Sequence, residues 1–133
     1  MLYLIRGVSG AGKTTLARQL CPLHNVAADD YFISPVDGIY RFDASQLHRA
    51  HRFCYEQTVK WMNDPTVTSI AVHNTFTKES ELRPYFELVN KYDNWNATVL
   101  VVERRRENAK SIHNVPTKTI LRQAKNLLNS LRI

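Results

Sequence analysis

Residues 5–20 read IRGVSGAGKTTLARQL. Within them Gly7, Gly10, Gly12, Lys13 and Thr14 spell G-x-x-x-x-G-K-T, the spacing of a phosphate-binding loop. The apolar run Leu2-Tyr3-Leu4-Ile5 before it reads as a short buried strand, and Thr15-Leu16-Ala17-Arg18-Gln19-Leu20 opens an amphipathic helix. Strand, glycine loop and helix in that order supply the context the motif needs. Glycines let the backbone turn so that successive N–H groups point inward, and an anion settles at the positive end of the helix. Gly7, Ser9, Gly10, Ala11, Gly12, Lys13, Thr14 and Thr15 are therefore expected to hold the phosphates of ATP or GTP. Lys13 would reach the β and γ phosphates, and the Thr14 hydroxyl would ligate Mg2+.

Outward from the loop, strand and helix signals alternate. Asn25-Val26-Ala27-Ala28 reads as a second strand ending at Asp29-Asp30-Tyr31, and residues 31–42 form a loop with Pro35, Gly38 and several aromatics. Asp43 and Gln46 have the spacing of a capping box. The helix they introduce should turn Leu47, Ala50, Cys54, Thr58 and Trp61 to one face, until Asn63-Asp64-Pro65 stops it. Val67–Val72 is expected as the third strand, a helix follows near Glu79–Lys91, and Ala97–Val102 is the fourth strand. Thr117 caps a last helix with Ile120, Leu121, Ala124, Leu127, Leu128 and Leu131 on one face. This order predicts an α/β fold with a small, mostly parallel sheet flanked by helices. Ligands of such sheets lie beyond the C-terminal strand ends, where Asp29, Asp30, His73, Asn74, Thr75 and Glu103 fall.

With 133 residues the chain is expected to be a single domain, 1–133. Cys21 and Cys54 are far apart, without C-x-x-C spacing, and read as reduced structural thiols. The apolar start is too short for a signal peptide or a membrane span, so a cytoplasmic protein with no membrane partner is expected. The net charge of +6 is uneven. From Arg104 onward, Arg104, Arg105, Arg106, Lys110, Lys118, Arg122, Lys125 and Arg132 face a single acid, Glu107. A basic end suggests an anionic partner, either ATP alone or ATP with a nucleic acid.

The loop alone allows hydrolases, switches, kinases and passive ATP binders. The N-K-x-D signature of GTPase switches is missing, and motor ATPases are usually larger. Phosphoryl transfer to an alcohol needs a carboxylate near the acceptor oxygen, a role open to Asp29. It also needs cations around the equatorial oxygens, which Lys13, magnesium and the basic segment of residues 104–116, acting as a lid, would supply. The competing readings are plain: Asp29-Asp30 as a strand terminus that caps a turn, and Arg104–Arg106 as a solvated face. His73 reads as a hydrogen-bonded structural residue, and Glu103 as the acid ending an apolar strand. Tyr31, Phe32 and Tyr40 are set either to stack a base or to pack the loop.

The segments RGVSGAGKTTLA, ADDYF, HNTFTKESELRPY and KSIHNVPTKTIL together resemble the polynucleotide 5′-hydroxyl kinase family of phages and its small zeta-toxin-like relatives. Those proteins belong to the adenylate-kinase-like, three-layer P-loop NTPases. The resemblance covers nearly the whole chain. It implies an ATP-dependent kinase acting on the 5′-hydroxyl of single-stranded RNA or DNA, with Asp29 as general base. Lys110 and Arg106 would be lid cations, and Thr14 the magnesium ligand. Phe32 stands where phage members often carry an arginine, His73 where an aspartate is frequent, and Lys110 where arginine is common. A small-molecule kinase (for a nucleoside, sugar or antibiotic) and a non-catalytic ATP-binding adaptor or inhibitor are the alternatives.

Overall fold

The computed structural model describes residues 1–103 and 117–131. Leu2–Arg6 forms β1, Asn25–Val26 β2, Ile70–His73 β3 and Ala97–Val101 β4; Lys13–Leu20 is α1, Leu47–Met62 α2, Glu79–Val89 α3 and Thr117–Leu131 α4. The four strands make one sheet in the order β2-β3-β1-β4. All three pairings are parallel, with Ile5 opposite both His73 and Leu100. The fold is thus α/β around a small parallel sheet flanked by helices.

Why β1 is central follows from its side chains, which alternate between the two faces of the pleat. Leu2 and Leu4 join Val26, Ile70 and Val72 in a cluster with Ala50, Cys54 and Met62 of α2 and Leu82, Tyr85, Leu88 and Val89 of α3. Ile5 joins Ala71 in a second cluster with Ala17 and Cys21, against which Tyr3, Leu16 and Leu100 pack. Apolar residues on both faces are what a parallel sheet with helices on each side requires.

Several sequence expectations need correction. The second strand stops at Val26, and Ala28–Phe32 is a 3-10 helix. The reason is local: the Asp30 carboxylate accepts the Ala27 N–H at 2.9 Å and turns the chain out of the sheet. The third strand starts at Ile70, not Val67, because Val67 N–H bonds back to Asp64 and closes the turn after α2. Asp43 does cap a helix, but a 3-10 turn over Ala44–Gln46 that leads into α2. The inward face of α2 ends in Met62 and excludes Leu47, which is exposed. In α4, Leu127 is buried, but Leu121, Leu128 and Leu131 are exposed, so half of the expected apolar face is left uncovered by the described residues. No described helix is long and apolar enough to cross a membrane.

Candidate functional site

The C-terminal ends of β1 and β3 open onto the same edge, and the glycine loop leaves from the first of them. Gly7 is fixed by crowding: a Cβ there would sit 2.5 Å from the Val102 carbonyl oxygen. Its N–H donates to Thr75 O at 3.2 Å, tying the loop to the segment after β3. Gly10 and Gly12 hold φ of 81° and 103°, left-handed values that cost an L side chain about 1–2 kcal/mol. Gly12 is the cap residue immediately before α1, so the first N–H groups of that helix, which have no partner within it, lie at the loop. Ala11 is buried and its N–H closes a turn onto Val8 O, while Thr15 is exposed on the first turn of α1.

Lys13 folds back along the loop, and its Nζ donates to Val8 O at 2.8 Å. Burial lowers its pKa to about 8, and the negative charge of Asp29 opposes the loss. The lysine of the loop and the aspartate after β2 therefore feel each other across the mouth of the site. Thr14 Oγ1 lies 3.3 Å from His73 Nδ1. His73 is 5% exposed, and its Nε2 has no partner among the described residues. Burial first, then the charges of Lys13 and Arg18, lower its pKa to about 4, so the ring is neutral at pH 7.

The aspartate pair divides its labour. Asp30 spends a carboxylate oxygen on the Ala27 N–H, whereas Asp29 accepts a hydrogen bond from the Tyr40 hydroxyl at 3.1 Å. Burial and the Asp29 charge both raise the pKa of Tyr40, which keeps that hydroxyl protonated and donating. Phe32 is buried among Tyr31, Tyr40 and Phe42, so it packs the loop and presents no face for a base. Tyr31 remains exposed beside Phe53. Asn74 is structural: its Oδ1 accepts the Ala28 N–H at 2.8 Å, which pins the 3-10 helix carrying Asp29 to the end of β3. Two residues later Phe76 adopts φ 45° while fully packed, a strained conformation held by its burial against Tyr85.

Helix α4 supplies contacts that the sequence did not disclose. Gln123 Oε1 accepts the Ser9 N–H at 3.0 Å, and Ser130 Oγ accepts from the Arg6 guanidinium at 2.8 Å. A phosphate oxygen on the Ser9 amide would take the place of Gln123. No local pattern signals a partner more than a hundred residues away, and only the folded chain brings it there. Glu103 lies exposed just beyond β4. Arg106 and Lys110, the expected lid cations, lie outside the described residues. Among the described residues no group of three His, Cys, Asp or Glu side chains is arranged to hold a metal ion.

No family model matches the chain. Over 96 residues it is 32% identical to NEDD4-binding protein 2 of Homo sapiens, an alignment that takes in 69% of this chain and 5% of that protein. The chain thus spans a small fraction of the length of this relative.

Proposed function

We propose that the chain is an ATP-dependent phosphotransferase with an adenylate-kinase-like P-loop fold, which moves the γ-phosphate to a hydroxyl group, the 5′-hydroxyl of RNA or DNA. The observation that carries this reading is the glycine loop, with Gly10 and Gly12 in left-handed conformations and half-buried Lys13 at the start of α1, which shares the C-terminal edge of the sheet with Asp29. One is suited to the phosphates and the other to the acceptor.

The loop N–H groups and Lys13 bind and orient the triphosphate. Asp29, held by Tyr40, takes the proton of the acceptor hydroxyl. The acceptor oxygen forms a bond to the γ-phosphorus, the bond from that phosphorus to the β–γ bridging oxygen breaks, and ADP leaves. The Thr14 hydroxyl, partly buried at the start of α1, is a hard oxygen donor that fits Mg2+ beside the phosphates. When bound, the ion supplies positive charge to the phosphate oxygens. Arg106 and Lys110, which lie outside the described residues, would add to it.

A nucleic-acid acceptor is supported by the net charge of +6 and by Lys118, Arg122 and Lys125, which are exposed along α4. Two buried free thiols, Cys21 and Cys54, fit a reducing, cytoplasmic setting. NEDD4 binding, recorded in the relative's name, belongs to a protein of which this chain matches only a small part.

The reading is tested by separating binding from turnover. Lys13→Ala should lose ATP binding in calorimetry. Asp29→Asn should keep it and lose roughly a hundredfold or more in transfer. Undiminished transfer by Asp29→Asn would remove the general base from this account. ATP binding without transfer to an oligonucleotide, nucleoside, sugar or antibiotic hydroxyl would leave a non-catalytic adaptor.

A further inference from the structure

Asp29, the proposed base, already holds a hydroxyl, and that hydroxyl belongs to the chain itself. Tyr40 Oη donates to Asp29 Oδ1 at 3.1 Å. A general base has to stand about 2.6–3.2 Å from the oxygen whose proton it removes, and this pair meets that requirement.

Other parts of the fold hold both partners in place. Residues 32–41 turn back on themselves: Arg41 N–H donates to Phe32 O at 2.9 Å and Ser34 N–H to Ile39 O at 3.1 Å, which sets Tyr40 opposite Ile33. Arg41 also pairs with Asp37 at 2.7 Å within the turn, and the half-buried Tyr40 ring meets Phe32 edge-on at 6.2 Å. Asp29 is fixed from the other side. Asn74 Oδ1 accepts the N–H of Ala28, its neighbour, at 2.8 Å, and Thr75 O accepts the Gly7 N–H at 3.2 Å. The helix that carries the base and the glycine loop therefore hang on consecutive residues after β3. Burial and the Asp29 charge keep the phenol protonated, so, like an aliphatic alcohol, it needs a base in order to accept a phosphoryl group.

We propose that Tyr40 is an internal phosphoryl acceptor, so that the chain phosphorylates its own Tyr40 when ATP is bound. The inference goes beyond the transfer to an external hydroxyl and rests on the same reading of the loop and of Asp29. The phenol proton passes to the Asp29 carboxylate, and a lone pair of Tyr40 Oη forms the bond to the γ-phosphorus. The bond from that phosphorus to the β–γ bridging oxygen breaks, its electron pair stays on that oxygen, and ADP leaves. Such transfers pass through a loose transition state, which asks for position more than for a strong nucleophile.

The test incubates the full chain with γ-labelled ATP and Mg2+, without an acceptor, and locates the phosphate by mass spectrometry of its peptides. The expected result is phosphate on Tyr40, at a rate per molecule that does not change with protein concentration, because base and acceptor lie in one chain. Tyr40→Phe, which keeps the ring and removes the oxygen, should lose that label, and Asp29→Asn should slow it roughly a hundredfold or more. Mapping the phosphate in the wild type decides the matter even where a variant folds poorly. Bound ATP and a labelled oligonucleotide with Tyr40 unlabelled would overturn the internal acceptor and leave the proposed function standing. Labelling at another residue, or a rate that rises with protein concentration, would overturn it as well. Labelled Tyr40 beside an unlabelled oligonucleotide would uphold it and remove the nucleic-acid acceptor. Bound ATP with neither labelled, or no ATP binding, would overturn both.

Discussion

At Gly7 one methyl group decides whether the loop can leave β1 at all. An alanine Cβ there would lie 2.5 Å from the Val102 carbonyl oxygen, and the obstacle is backbone, not a side chain that can swing away. Gly7→Ala should therefore destabilise the fold by about 1–3 kcal/mol, read as a lower denaturant midpoint at unchanged slope. An unchanged midpoint would show that β1 and β4 part easily. His73 makes a different prediction. Its folded pKa of about 4 lies below its ordinary 6.5, so the unfolded chain binds more protons between those values. With chelator present, stability should fall as pH drops from 6.5 to 4, by roughly 3 kcal/mol at most. His73→Gln, which has no proton to gain in that range, should flatten this part of the profile. The motif residues were legible in the sequence because glycine spacing is a local property. The Thr14–His73 contact was not, because it depends on β3 lying beside β1.

Between β2 and the loop of residues 31–42, ADDYF reads as the end of a strand and folds as a 3-10 helix. The local sequence did contain the signal: an aspartate three residues beyond Ala27 can cap the Ala27 amide, and Asp30 does so. This distinguishes the two acids experimentally. Asp30→Ala should cost about 1 kcal/mol of stability, as the loss of a cap does, with little change in ATP affinity. Asp29→Asn should leave the unfolding midpoint within about 0.5 kcal/mol of wild type. A reversal of these two effects would show that Asp30, not Asp29, faces the ligand. At the other end of the chain, α4 rests on the glycine loop through Gln123 and on β1 through Ser130. Since Gln123 occupies the Ser9 N–H that a phosphate would use, Gln123→Ala should tighten ATP binding by a few-fold, about 0.5–1 kcal/mol. Weaker binding in calorimetry would mean that α4 shapes the loop and does not compete for it.

Across the molecule, the alternation of strands and helices was enough to predict a parallel sheet, and the order β2-β3-β1-β4 puts the loop strand in its interior. The ends of elements were read less well, because an apolar run such as Val67–Val72 does not reveal where sheet pairing begins. The last helix illustrates a related point. An apolar stripe in the sequence says that a face can be covered, and Leu121 and Leu128 stay exposed because the described residues do not cover them. The functional reading rests on what the sheet gathers at one edge: the glycine loop, Lys13, Thr14, His73 and Asp29. Its most direct test is transfer of labelled γ-phosphate from ATP, with a divalent ion, to an oligonucleotide bearing a 5′-hydroxyl. We expect the wild type to label that oligonucleotide but not one already phosphorylated at its 5′ end, and Lys13→Ala and Asp29→Asn to label neither. Absence of labelling by a wild-type protein that binds ATP would contradict the account.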